Sequence, residues 1–187
     1  MIYLFGNNSV AESIYDELTS SGVTVNSIVV DDEYIDINSR SSILEVLPFS
    51  KLKLCEDDVI INCVGYSNLK LRVEIGQRFE KTGSLGTFIS KSANIANTVT
   101  VAKGSVILGN ATVERNVVIG KSCLIWGGAR ICHDSVLENG VFLAAGSIVG
   151  GGCIVGGYTS VGFNSSIKEY SIVPSETKVG ANRFFYI

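Results

Sequence analysis

The chain contains one histidine, His133, and the next residue is Asp134. Imidazole is the side chain best suited to take up a proton near neutral pH, and an adjoining carboxylate can hold it in one tautomer and raise its basicity. Such a pair could deprotonate an amine or a hydroxyl as it attacks an acyl thioester. The same two residues also describe a solvated surface histidine with an acidic neighbour by chance, and the pair alone does not separate the two. Glycine is dense just beyond it, at Gly140, Gly146, Gly150 to Gly152, Gly156, Gly157 and Gly162. Backbone without side chains lets an extended ligand lie close and leaves N–H groups to bond a carbonyl or an oxyanion. Some of these glycines also suit tight corners.

Other chemistries are thinly represented. One histidine cannot build a three-histidine zinc site. The five cysteines, Cys55, Cys63, Cys123, Cys132 and Cys153, show no Cys-x-x-Cys spacing. An odd, scattered set fits buried thiols in a reducing cytoplasm better than a disulfide framework. Cys132 beside His133 reads as packing, because neighbours on an extended chain point to opposite sides.

The element that carries His133 is a repeat of six. From Ile89 every sixth residue to Val179 is Ile, Val or Leu. The residue four places after each is small or β-branched, from Ala93 through Ser135 to Thr177. One aliphatic to fill the interior and one small residue to turn the wall is what a narrow triangular prism requires. Three hexads make one coil, so the run predicts a parallel β-helix of about five coils, with His133 outward-facing near a corner of the third. A single coil cannot bury its core and depends on neighbours stacked above and below.

The N-terminal part has a different pattern. Residues 2–5 read as a short buried strand leading to Gly6-Asn-Asn-Ser9. Ser9 and Glu12 suggest a capping box for a helix whose apolar face holds Val10, Ile14 and Leu18, closed by Gly22. Val25–Val30 and Val59–Val64 read as further strands, and Leu69–Lys81 as a second helix. This is a small parallel α/β unit, and its strand ends carry the Gly6, Asp31 and Gly65 loops, where such sheets bind ligands. Gly6 lies in no full glycine fingerprint and equally suits a plain strand-to-helix turn. Asp31 and Asp32 could cap a loop or meet a ribose or base. The stretch Lys81–Thr87 is the expected junction, giving domains 1–82 and 83–187.

Composition narrows the partners. The chain has 187 residues, is 46% hydrophobic and carries a net charge of -3. Without a basic stripe, nucleic acid is not expected. The apolar runs are too short for a membrane span, and Met1–Phe5 lacks the basic leader of a signal peptide.

Taken together, the two parts resemble the hexapeptide-repeat sugar acyltransferases, namely bacillosamine-type amino-sugar nucleotide N-acetyltransferases and sialic-acid O-acetyltransferases. The residues that carry the likeness are Ile2-Tyr-Leu-Phe-Gly6, Val29-Val-Asp-Asp32, Gly65-Tyr-Ser-Asn68-Leu-Lys-Leu-Arg72 and, above all, Ala129 to Gly146 with its His133-Asp134 pair. The resemblance implies a left-handed β-helix, with a small Rossmann-like domain holding the sugar nucleotide through Gly6, Asn8, Asp31, Asp32 and Gly65. It further implies a homotrimer with acetyl-CoA between prisms, against Gly146, Gly151 and Gly157. His133 would be the base and Asp134 its orienting acid. The acceptor would be a nucleotide-linked amino-sugar, with a 4-amino group preferred; a sugar hydroxyl or a non-catalytic trimer are the alternatives. Departures stand at Val10 and Phe142, where the family has histidines, and at the C-terminus, where the repeat ends early and Phe184-Phe185-Tyr186 is expected to fold over the open prism as a cap.

Overall fold

The computed structural model describes residues 1–35 and 43–186. The N-terminal layer is a four-stranded parallel sheet. Its strands are β1 (Ile2–Phe5), β2 (Ser27–Val30), β3 (Val46–Pro48) and β4 (Val59–Asn62), in the order β3-β2-β1-β4. The edge strand β3 has no counterpart in the sequence expectation, being short and ending on a proline, which only an edge tolerates. Helix α1 (Ser9–Ser20) follows β1 and α2 (Leu69–Lys81) follows β4. Asn8, not Ser9, caps α1: its side-chain oxygen accepts from Val10 N at 2.9 Å. Ser9 is instead the first helical residue, so the expected Ser9–Glu12 box does not form. Gly22 closes the helix at φ +76°, as its position suggested.

From Phe88 onward the chain forms two-residue strands in three stacked parallel sheets of six, six and five strands. The first face runs from Phe88–Ile89 to Lys178–Val179, the second from Asn94–Ile95 to Phe184–Phe185, the third from Thr100–Val101 to Ile172–Val173. Each strand pairs with the strand eighteen residues on, as in Leu124↔Phe142 and Arg130↔Ile148. The second residue of each strand points inward, and Ile107, Ile125, Ile131, Leu143, Val149 and Val161 are fully buried in one continuous core. From Gly104 to Asn182, every sixth residue adopts a left-handed backbone, glycine or asparagine at most of these corners and Asp134 at another. That is the conformation a tight corner demands, and glycine, asparagine and aspartate bear it with least strain.

The C-terminal expectation is corrected. Phe184–Phe185 does not fold across the prism; it continues the second face, paired in parallel with Ser166–Ile167. Phe185 falls on the same six-residue register as Ile89 and packs against the end of the core. A search for aliphatics alone stops at Val179 and misses it.

The α/β layer lies on the first face of the prism. The outward residues of that face, Phe88, Val106, Leu124 and Phe142, are buried with Leu4, Val10, Ile14 and Ile28. The junction is no free linker: Ser84–Gly86 runs along β4, with Ile60 N donating to Ser84 O at 2.7 Å and Gly86 N to Ile60 O at 2.9 Å. Arg72 on α2 is fully buried and joins the two parts. Its guanidinium donates to Ser122 O at 2.8 Å, Asn62 O at 3.0 Å and Cys123 O at 3.3 Å. Burial pulls its pKa down to about 10, which leaves it charged at neutral pH.

Candidate active site

His133 follows the strand Arg130–Ile131 and enters the corner between the second and third faces. Asp134 takes the left-handed corner position at φ 59°, and this turn brings its carboxylate back onto the imidazole. His133 Nδ1 and Asp134 Oδ2 are 2.8 Å apart, with both side chains about two-fifths exposed. The other carboxylate oxygen accepts from Asn116 Nδ2 at 2.8 Å. The Asn116 bond, then the His133 bond, hold the Asp134 carboxyl below the usual carboxylate range, so it is ionised at neutral pH. An ionised carboxylate only accepts, so Nδ1 is the nitrogen that donates in this contact, and the neutral ring then has its lone pair on Nε2. That is the state a general base needs.

The backbone beneath is braced as well. Glu114 Oε2 accepts from His133 N at 3.1 Å, while its Oε1 accepts from Arg130 Nη2 at 2.8 Å. The Arg130 bond is the main reason that the Glu114 pKa is lowered. Glu114, Arg115, Thr112 and Asn94 join His133 around a shallow cavity of about 360 Å³.

Gly151 stands one coil above His133. A Cβ there would lie 2.8 Å from both Nε2 and Cε1 of the imidazole, so only glycine leaves that edge of the ring open. The Gly151 N–H has no hydrogen-bond partner among the described residues. The other two glycines expected to meet acetyl-CoA stand at other corners. Gly146 is at the corner between the first and second faces. Gly157 is at the corner between the third and first, where its N–H donates to Glu138 Oε2 at 2.8 Å.

A second cavity, of about 510 Å³, opens at the C-terminal ends of β1, β2 and β4. Gly6, Asn8, Asp31 and Gly65 line it, with Tyr34 and Asn68. Gly6 has φ +118° and a Cβ there would sit 3.1 Å from the Cys63 carbonyl carbon, so close approach of two strand ends requires glycine. The Asn8 side chain is committed, capping α1 and donating to Cys63 O at 2.8 Å. Asp31 is held by Arg78 at 2.8 Å, and the Arg78 guanidinium lies among the rings of Phe5, Phe49 and Phe79. Asp32 does not line this cavity; its carboxylate takes the Ser50 N–H at 3.1 Å and the Ser50 hydroxyl. The Ser50 hydroxyl is the main reason that the Asp32 pKa is lowered.

A third cavity, of about 550 Å³, lies between the start of α2 and the first face and shares Ser67 and Asn68 with the second. Its wall is aromatic. Tyr66 stacks on Phe142 with centroids 4.4 Å apart, and Trp126 meets both edge-on at 5.3 and 5.6 Å. Phe142 and Val10, which stand where the resemblance has histidines, are both buried and apolar.

Within one chain, the α/β cavity and His133 are not brought together. The α/β layer covers the first face, and His133 is at the corner formed by the other two. The expectation of buried thiols holds for Cys63, Cys123 and Cys153, while Cys132 is half-buried and Cys55 exposed; burial pushes the Cys63 pKa up to about 12. Asn116 and Glu114 were invisible to motif reading. Their signal is the coil length, since Asn116 is eighteen residues before Asp134 and Glu114 nineteen before His133.

The prism with its α/β layer defines a class of fold, and comparison with known proteins places it. The bacterial transferase hexapeptide (six repeats) family model matches residues 116–151, the segment holding Asn116, His133 and Gly151. No curated protein matches the chain. Among solved structures, the chain is similar to the acetyltransferase domain of PglB from Neisseria gonorrhoeae, at TM-score 0.86 and 20% identity over 98% of this chain and 90% of that one. The same domain in complex with acetyl coenzyme A matches at TM-score 0.85 and 20% identity, over 99% of this chain and 92% of that one. PerB from Caulobacter crescentus, in complex with CoA and GDP-perosamine, matches at TM-score 0.84 and 21% identity, over 98% and 87%. These likenesses show the fold: a small α/β domain followed by a left-handed parallel β-helix.

Proposed function

We propose that the chain is an acetyl-CoA-dependent N-acetyltransferase acting on a nucleotide-linked amino-sugar, with His133 as general base. The observation that carries this reading is the fixed imidazole. Its Nδ1 proton is committed to Asp134, and its bare Nε2 faces Gly151 one coil above. The acceptor amine attacks the thioester carbonyl carbon, forming the C–N bond, while Nε2 takes the amine proton. The tetrahedral oxyanion finds a donor in the Gly151 N–H. The C–S bond then breaks and the imidazolium returns its proton to the departing thiolate. No acyl-enzyme is needed.

The division of labour follows the two parts. Residues 1–82 hold the nucleotide in the cavity of Gly6, Asp31 and Gly65, with Asn8 and Asp32 shaping its loops; residues 83–187 hold the acetyl donor. Because that cavity and His133 lie on different sides of one prism, a complete site needs a neighbouring copy. The third face supplies the means: Val118, Ile154 and Ile172 form an outward aliphatic ladder, 43%, 42% and 64% exposed. A homotrimer joined there is the assembly we infer. No helix of the described residues is long and apolar enough to cross a membrane, and five free cysteines fit a reducing cytoplasm.

The test is direct. Purified protein is mixed with acetyl-CoA and a panel of UDP-, dTDP- and GDP-linked amino-sugars, with 4-amino members expected to react fastest. Turnover of a sugar hydroxyl instead would move the reading to an O-acetyltransferase, which uses the same groups. Failure of CoA to bind at millimolar concentration in calorimetry would leave a non-catalytic trimer.

A further inference from the structure

We propose that Asn116 is a positioning residue for the His133 imidazole, acting through Asp134 along a ladder of stacked corners. This rests on the reading of His133 as base. Asn116 and Asp134 occupy the same corner on successive coils, both left-handed, at φ 59°. The Asn116 backbone N–H donates to Thr98 Oγ1 on the coil below at 2.8 Å, which seats the residue. Its Nδ2 then donates to Asp134 Oδ1 at 2.8 Å, while Oδ2 takes the imidazole at 2.8 Å. Each carboxylate oxygen thus has one short partner, and the plane of the group is set from both sides.

Nothing else does this work at short range among the described residues. Arg115 approaches Asp134 only at 3.5 Å from a side chain that is 61% exposed. Gly152, the next rung above, has no side chain to offer. The other ionisable groups around the imidazole, Glu114 with its partner Arg130 and Cys132, act on the backbone or lie along the strand. Without the Asn116 donor, the exposed Asp134 side chain is free to turn among rotamers at its corner. The imidazole then drifts toward the Nε2–H tautomer that a free imidazole prefers. That puts a proton on the atom that must be bare to act as base.

Stacked polar corners also stiffen a β-helix, so the test must read the imidazole itself. His133 is the only histidine in the chain, so its ring nitrogens give unambiguous ¹⁵N signals in the whole protein. Asn116→Gly keeps the left-handed backbone and deletes the amide. Asn116→Asp keeps shape and backbone tolerance but replaces the donor with an acceptor. In the wild type the neutral ring is expected to be mainly the Nδ1–H tautomer, and in both variants the balance is expected to shift toward Nε2–H. Turnover should fall about tenfold with the KM for acetyl-CoA unchanged, part of the range a positioned base supplies. An unchanged tautomer balance in both variants overturns the proposal, whatever happens to activity. Should Asn116→Gly fold poorly, Asn116→Asp decides alone. The parent reading fails separately: full activity in His133→Ala removes the base, while the tautomer measurement needs no substrate and still judges the ladder.

Discussion

His133 has three kinds of neighbour, and each makes a different demand. Asp134 fixes its proton, Glu114 fixes its backbone and Gly151 keeps its reactive edge clear. His133→Gln is therefore expected to cut turnover by about 10²–10⁴, the range for removing a general base, with little change in thermal stability. Gly151→Ala should cost as much without unfolding. Its added methyl would land 2.8 Å from Nε2, and the imidazole, tied to Asp134, has little room to give way. Steady-state kinetics with a melting curve for each variant check both. The pH dependence has a definite sign. Asp134 has a folded pKa below its ordinary value, so its contribution is present above the usual carboxylate range and is lost only as the pH falls through the depressed pKa. Through the region where an imidazole titrates, Asp134 stays ionised. The acid limb of kcat/KM should therefore report one proton, with unit slope; a slope of two would mean that Asp134 titrates there as well.

At the scale of elements, the corners are where sequence and backbone disagree most. Asparagine and glycine occupy many of the left-handed positions, but Tyr170 sits at φ 61° with three quarters of its surface exposed. A bulky residue there bears strain of about 1 kcal/mol. Tyr170→Asn should relieve it and raise the melting temperature by about 2–4 °C in a thermal melt. The aromatic stack of Tyr66 on Phe142 is the other element-level device. It ties the Gly65–Asn68 loop to the prism, and that loop walls both the α/β cavity and its neighbour. Tyr66→Ala is expected to weaken binding of a sugar nucleotide, read by calorimetry, more than binding of CoA.

For the whole molecule, two contacts decide whether parts stay together. Arg72 is a cation buried without a carboxylate and satisfied by backbone carbonyls from β4 and from two coils. Arg72→Leu strands those carbonyls and should destabilise the protein by about 3 kcal/mol or more, seen as a lower midpoint in denaturant. The second is the contact between copies that the proposed trimer requires. Ile154→Asp places a charge in the middle of the outward ladder on the third face. It should give a folded monomer by sedimentation, with its circular dichroism unchanged and its activity lost. A trimer that survived this change would have to be built on another face.

The sequence alone specifies the prism, because a six-residue period is imposed by local geometry: each hexad must supply one core residue and one corner, wherever it falls. It also determined α2 to the residue and the glycine that closes α1, since caps and helical spacing are local. It stopped short at Phe185, because an aromatic can fill the aliphatic position at the open end of a prism, where no coil above limits its size. The His133–Asp134 pair was legible as a pair and no further. The eighteen-residue coil places Asn116 below it and Gly151 above it, but the hydrogen bond from Asn116 and the close approach of Gly151 emerge only once the coils stack. The same holds for Arg72 and for the separation of the α/β cavity from His133: both depend on which face of the prism the α/β layer covers, and that is set by packing between surfaces far apart in sequence.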